Sequence, residues 1–370
     1  MKIFRKIKRI ILLLIVLLIA TLFMPFSLVS KKANDSYGDV MSSSITNGNV
    51  KIVDIAMLGA HDAFSSRIGY NSKPNVNEGG IVNNKFVNLL GKGLVVRMSK
   101  SQVCSTKQLL NAGVRYFDAR VSKIEDNYYT IHGYISDSLE SYIKDMVEFL
   151  DNHSGEIIVF DLQHFYTSDG SNNGLSTQAY QELFDYIATV KSNLGKSLMD
   201  YVFYDKSVDT LYSLTYNKIT NNKTTSGIVF LAKNGELSYA YNRDGDAKYT
   251  KTSYNSIVSL WHEENDTAVM LEEIDKTYDF IKENDFSHCF RVNQAQKTGF
   301  LMNKKIIKSL CSWSILEMAK SFNYKLVQDE QRFTKWLEAM PIFMTDYTTS
   351  NQGDFNKLAN EYIMAYNKNL

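Results

Sequence analysis

Leu109-Leu110-Asn111-Ala112-Gly113-Val114-Arg115-Tyr116-Phe117-Asp118-Ala119-Arg120 reads as the end of one element followed at once by another. Thr106 to Ala112 predicts a helix, and the β-branched and aromatic run Val114 to Ala119 predicts a strand. That strand ends in an acid and a guanidinium. Outward from it, two flanking segments repeat the design. Met57-Leu58-Gly59-Ala60-His61-Asp62 and Tyr129-Thr130-Ile131-His132-Gly133 each place a histidine at the end of a β-like apolar run.

Further along, short β-branched runs keep alternating with longer helical stretches. Strands are expected at Ile52 to Leu58, Val114 to Ala119, Tyr129 to His132, Glu156 to Leu162, Gly227 to Ala232, Ser256 to Leu260, Ser287 to Val292 and Pro341 to Thr345. Helices are expected at Thr106 to Ala112, Leu139 to Asn152, Thr177 to Ser192, Val269 to Glu283, Lys304 to Ser321 and Asp354 to Asn367. In Leu139 to Leu150, the apolar Ile143, Met146, Val147 and Leu150 recur at three-to-four spacing, which marks a core-facing face. Alternation of this kind argues for βα units, and eight strands is the number that closes a (β/α)8 barrel. The Val121 to Tyr128 connection is too short for a crossover helix. The expectation is therefore an α/β fold: an irregular TIM-type (β/α)8 barrel.

Composition narrows the function. Of 370 residues, 44% are hydrophobic, and Lys+Arg 41 against Asp+Glu 40 leaves a net charge of +1. No basic field argues for nucleic acid, so the partner is expected to be small or a lipid surface. At the amino terminus, Lys2, Arg5, Lys6, Lys8 and Arg9 precede an apolar run from Ile10 to Ala20 that extends towards Val29. Charge followed by an apolar run is the pattern of an export signal or an uncleaved anchor. Residues 1–34 are read as that segment, and 35–370 as a single catalytic barrel outside the cytoplasm, secreted or held at the membrane. Cys104, Cys289 and Cys311 are odd in number and widely spaced, so they define neither a disulfide framework nor a zinc site.

In a βα barrel, the groups at the carboxyl ends of the strands meet at one mouth. His61 and Asp62 follow the first strand, Asp118 and Arg120 the second, His132 the third and Asp346 the eighth. Two imidazoles can supply a base and an acid near neutral pH, and arginine matches phosphate oxygens with a planar fork. Together they suit chemistry on a phosphodiester. Arg115, inside its strand, reads as a salt-bridging barrel residue, and His153 as structural.

These segments, with Phe149-Leu150-Asp151-Asn152-His153-Ser154-Gly155-Glu156-Ile157-Ile158, resemble in order and spacing the catalytic X region of the phosphatidylinositol-specific phospholipase C family. The resemblance runs from Val53 to Asp161 and more weakly to Asp346. It implies an irregular βα barrel and a set of roles. His61 would be general base toward the inositol 2-hydroxyl, oriented by Asp346. His132 would be general acid toward the diacylglycerol oxygen, partnered by Asp62. Arg120 would stabilise phosphoryl charge, with Asp118 holding the local geometry. Members that use calcium place an acid where this chain has Arg120 and Asn where it has Asp62, so the resemblance points to the metal-independent bacterial type, with calcium disfavoured. Gln163 stands where bacterial members often carry an inositol-touching lysine. Lys233 falls where the family places a cation after the fifth strand, and Trp261 and His262 where a sugar-stacking aromatic sits. The implied substrate is phosphatidylinositol or a related inositol lipid or glycan anchor at a membrane surface. Two readings stand beside it: a metal-dependent glycerophosphodiester phosphodiesterase or sphingomyelinase D-like enzyme, and a non-catalytic lipid-binding barrel.

Overall fold

The computed structural model describes residues 2–23, 31–203, 213–232, 236–243, 246–253, 257–299 and 314–370. Its strands, in chain order, are β1 (Met57–Ala60), β2 (Val114–Ile124), β3 (Asn127–His132), β4 (Tyr134–Ser138), β5 (Ile157–Thr167), β6 (Gly170–Ser171), β7 (Gly227–Ala232), β8 (Glu236–Arg243), β9 (Asp246–Ser253), β10 (Ile257–Leu260), β11 (Phe290–Gln294) and β12 (Ile342–Thr345). Seven of them form one curled parallel sheet in the order β10-β11-β12-β1-β2-β5-β7.

This corrects the expectation of eight barrel strands. The Tyr129 to His132 run does not take a place in the parallel sheet. It folds back antiparallel on the long end of β2, Val121 facing Thr130, because two residues suffice for a hairpin and cannot carry a crossover. β3 then pairs with β4 and leans over the sheet's carboxyl end. Among the described residues the edge strands β7 and β10 are not paired with each other, and the β8–β9 hairpin pairs only with itself, so the sheet is a curled half-barrel rather than a closed ring. The first strand also starts later than expected: Ile52–Asp54 is a 3-10 turn, and the sheet begins at Met57.

Helices cover the outer face, and their starts are set by local chemistry. Ser105 and Gln108 form a reciprocal capping box on Thr106–Asn111. Ser138 caps Leu139–Asn152, and Asp266 caps Thr267–Glu283. Asp354–Asn367 runs as expected. Of the expected Lys304 to Ser321 helix, residues 304–313 lie outside the described residues, and the described helix is Ile315–Leu326. Lys2–Phe23 forms one helix whose Ile7 to Val16 side chains are exposed; among the described residues, no helix is long and apolar enough to cross a membrane.

The sheet separates two apolar layers with a period of two residues. Met57, Tyr116, Ile157, Val159, Val292, Ile342 and Met344 fill one cluster inside the curl. Their neighbours Leu58, Phe117, Ile158, Phe160 and Phe343 fill the other, against the helices. Gly59 belongs to the inner series, and a Cβ there would come within 3.1 Å of both Met344 and Tyr116. At the amino end of the sheet, Arg115 is fully buried. Its Nε donates to Glu156 at 2.8 Å, and its remaining donors reach the carbonyls of Leu110, Val114, Tyr37 and Gly38. Cys104 and Cys289 are buried, and Cys311 lies outside the described residues.

Candidate active site

The period of two that sorts the core also aims the site. His61 continues the inner series Met57, Gly59; Asp118 and Arg120 continue Tyr116; Asp346 continues Ile342 and Met344. All four therefore emerge on the inner face at the carboxyl end. Asp62 would alternate outward, but its backbone takes a left-handed φ of 42°, a conformation that Asp tolerates better than most residues, and its carboxylate is buried in the cluster. His132 arrives from above on the β3–β4 hairpin. Its neighbour Gly133 has φ 69°, and a Cβ there would meet Val82 at 2.9 Å.

The imidazole centroids lie 6.3 Å apart, rings nearly perpendicular. His61 Nδ1 is 2.7 Å from Asp346 Oδ1, and its Nε2 lies 3.4 Å from Asp62 and 3.7 Å from Asp118. His132 Nδ1 is 3.0 Å from Asp62 Oδ2 and 3.0 Å from the Ser99 carbonyl. Arg120 Nε pairs with Asp62 Oδ1. Asp118 accepts the Asp62 backbone N–H at 3.0 Å, and Ser101 Oγ donates to Asp62 at 3.1 Å. Gln102 pins the scaffold by donating to the carbonyls of His61 and Thr345.

Burial pulls His61 down, but the carboxylates of Asp62 and Asp346 outweigh it and hold the imidazole up to about 9. For His132, burial together with the charges of Arg120 and His61 prevails over Asp62, and its pKa is lowered. Asp62 stays well below the ordinary carboxylate range against its own burial, because Arg120 and both histidines face it. Asp118 moves up through burial and the neighbouring Asp62. Arg120, despite burial, is held charged by Asp62 and Asp118. The two shifts run in opposite directions, so the surrounding charges favour the imidazolium on His61 over His132.

A cavity of about 600 Å³ opens over this cluster. His61, Arg120, His132 and Asp346 line it, as do Gln163 and Trp261. Gln163 donates to Asp161, which also accepts from the buried Tyr116 hydroxyl. Among the described residues that line the cavity His262 does not appear. It shares its parity with Val258 and Leu260 on the outer side of β10, and Glu273 of the covering helix is its charged neighbour. Lys233 lies outside the described residues. The sequence reading missed Glu78, which lines the cavity and accepts the Gly133 N–H at 2.8 Å, and the wall of Ser259, Gln294 and Gln296. Glu78 sits in a polar loop with no periodic signal. Gln294 and Gln296 could have been found by continuing the inner parity of Phe290 and Val292.

His61, Asp62 and Asp118 are close enough together to address one metal ion. As a donor set they do not fit calcium. Two carboxylates and an imidazole fall short of its six to eight oxygens, and Arg120 already holds the Asp62 oxygen with a fixed positive charge.

No family model matches the chain. Among curated proteins it is similar to mouse PI-PLC X domain-containing protein 2, 31% identical over 140 residues, which is 37% of this chain and 41% of that protein. It is also similar to the variant-surface-glycoprotein phospholipase C of Trypanosoma cruzi, 32% identical over 135 residues, 34% of this chain and 36% of that protein. The chain thus spans less than half the length of these relatives. Among solved structures, the phosphatidylinositol-specific phospholipase C from Listeria monocytogenes superposes with a TM-score of 0.57 at 17% identity, covering 90% of this chain and 98% of that one. A variant of the Staphylococcus aureus phosphatidylinositol-specific phospholipase C gives 0.56 at 15%, covering 90% and 98%. At such identities these two speak for the fold, and the curated relatives speak for the sequence. On both, the chain resembles the phosphatidylinositol-specific phospholipase C X-region family, in sequence over about a third of its length and in fold over most of it.

Proposed function

We propose that this protein is a metal-independent phosphodiesterase that cleaves phosphatidylinositol, or a related inositol lipid or glycan anchor, into diacylglycerol and inositol 1,2-cyclic phosphate. The observation that carries the reading is the site itself: two imidazoles 6.3 Å apart, each with a carboxylate on Nδ1, beside one buried guanidinium under an open cavity. The names of the relatives point to the same lipid class.

With Nδ1 of His61 held by Asp346, Nε2 takes the proton of the inositol 2-hydroxyl. The freed oxygen attacks phosphorus, and the bond to the glycerol oxygen breaks as His132 gives that oxygen a proton. Arg120 bears on the phosphoryl oxygens as charge builds. No covalent bond to the enzyme forms, because the substrate supplies its own nucleophile. The reactive form has the proton on His132 and not on His61, the reverse of the resting preference. An incoming anionic phosphodiester beside Arg120 raises the basicity of His132 and favours that form. The basic-then-apolar amino terminus supports export, with residues 35–370 acting at an extracytoplasmic membrane surface.

The test is to incubate the full chain, purified in detergent, with phosphatidylinositol micelles, with and without EDTA, and to identify the soluble product by phosphorus NMR. A cyclic inositol phosphate formed equally in both samples is the expected result. Activity lost on chelation would favour a metal-dependent phosphodiesterase instead, and binding without product a non-catalytic barrel.

A further inference from the structure

Gly133, the residue that follows His132, is held on both of its backbone groups by one loop. Its N–H donates to Glu78 Oε2 at 2.8 Å, and its carbonyl accepts the Asn75 N–H at 2.8 Å. Around these bonds the loop pairs like a short added strand: Pro74 bridges antiparallel to Tyr134, and the Ile135 N–H donates to the Lys73 carbonyl at 2.8 Å. Asn75 and Asn77 both bond the Ser122 hydroxyl on β2, two residues beyond Arg120. The loop thus joins the hairpin that carries one imidazole to the strand that carries the guanidinium. A neutral oxygen would satisfy the Gly133 N–H; a carboxylate also brings a charge.

That charge lies on the cavity wall, among groups that compete for the His132 proton. Arg120 on β2 and His61 at the end of β1 act against a proton on His132, while Asp62 beside His61 and Glu78 on the loop act for it. Asp62 divides its charge among Arg120 and both imidazoles, so Glu78 is the second carboxylate facing His132. Glu78 also faces Arg120 and Tyr166. We infer that Glu78 is the positioning residue of the general acid: its carboxylate fixes the Gly133 peptide beside His132 and sets a negative charge that keeps a proton on that imidazole while Arg120 stays charged next to it. The inference deepens the proposed reaction and rests on it. In that reaction His132 holds a proton and His61 does not, against the preference that the surrounding charges give, and a charge facing His132 favours the productive form.

The test uses the full-length protein in detergent, its histidines carbon-13 labelled at Cε1 and titrated by NMR, with His132 assigned from its absence in His132→Ala. Glu78→Gln keeps an acceptor for the Gly133 N–H and removes the charge. The His132 midpoint should fall by about 0.5–1 pH unit, with the His61 midpoint moving less and the urea midpoint near wild type. On phosphatidylinositol, the peak of kcat/KM should fall about threefold to tenfold and the acidic limb should move to lower pH by the matching amount, since each unit lost by the acid is a tenfold loss of the productive form. Glu78→Asp, which restores the charge, should bring both readouts back toward wild type. Glu78→Ala should move His132 at least as far, and keeps the test decisive if Glu78→Gln does not fold. A His132 midpoint that shifts with Glu78 in a protein that fails to cleave phosphatidylinositol would support Glu78 as the holder of that proton and retire the proposed reaction. A midpoint unmoved in both the Gln and Ala variants would overturn the inference, and with cleavage intact it leaves the reaction standing. Activity lost together with stability, both limbs of the profile in place, would overturn it too, because a tie that serves only the fold behaves that way.

Discussion

Strand β2 carries two arginines five residues apart, and they live in opposite worlds. Arg115, at the amino end, is buried with its guanidinium shared between Glu156 and four backbone carbonyls, and Glu156 in turn accepts from the N–H groups of Met41 and Ser42. Arg120, at the carboxyl end, pairs with Asp62, which also faces two imidazoles, while a second buried carboxylate, Asp118, lies beside them. The first arrangement is closed: each charge has its partners, and water has no place. The second is left open on one side, with His61, His132 and Arg120 still 16–20% exposed over buried carboxylates. One residue type on one strand serves stability where its hydrogen bonds are complete and chemistry where they are shared among competing groups.

The sharpest way to break that contrast is at the open end. His61→Ala and His132→Ala should each lower turnover on phosphatidylinositol by about 100- to 10,000-fold, with the folded circular-dichroism spectrum retained; substantial activity in both variants would remove the acid–base assignment. Arg120→Lys keeps a charge opposite Asp62 but loses the planar fork, so activity should fall by about 100-fold or more at nearly unchanged stability. Arg115→Met is the mirror image. Stranding Glu156 without its partner should cost about 3–5 kcal/mol in urea unfolding, with the activity of the folded fraction preserved. A result in which the Arg115 variant stays stable and loses activity would collapse the distinction between the two ends.

A smaller effect concerns protons. Because Asp346 helps hold His61 up to about 9, the basic limb of the kcat/KM profile should lie near that value, and Asp346→Asn should move it down. The same shift has a stability counterpart. A histidine raised in the folded state contributes fully below its free pKa of roughly 6.5 and loses that contribution as pH climbs through about 9, so melting temperature should fall across that window and fall less in Asp346→Asn. The smallest expected effect is that of EDTA, which should leave the rate unchanged, since Arg120 stands against the His61, Asp62 and Asp118 cluster, the one group among the described residues that a cation would use.

Much of the frame was legible before any coordinates. The helices Leu139–Asn152 and Asp354–Asn367 run over the residues their periodicity indicates, because a strong apolar stripe and a capping residue are local signals. The Tyr129 to His132 run was legible as a strand but not as a hairpin arm, since composition is silent on which neighbour a strand pairs with. Trp261 lines the cavity and His262 does not, because nearness in sequence says nothing of parity until the inner series of β10 is known. Glu78 carried no motif, and only packing around the cavity brings it forward, whereas Gln294 and Gln296 lay within reach of the inner parity of Phe290 and Val292.

The sequence by itself determined the alternation of strand and helix, the basic and apolar start, and the residue types able to move protons and meet a phosphate, because these depend on neighbours within a few positions. The tertiary structure alone decided that the sheet stays a half-barrel, that Asp62 turns inward through a left-handed backbone, and that the surrounding charges favour the imidazolium on His61 over His132. Those outcomes depend on pairing and electrostatics between groups up to 285 positions apart, as His61 and Asp346 are, and no local pattern encodes such a distance.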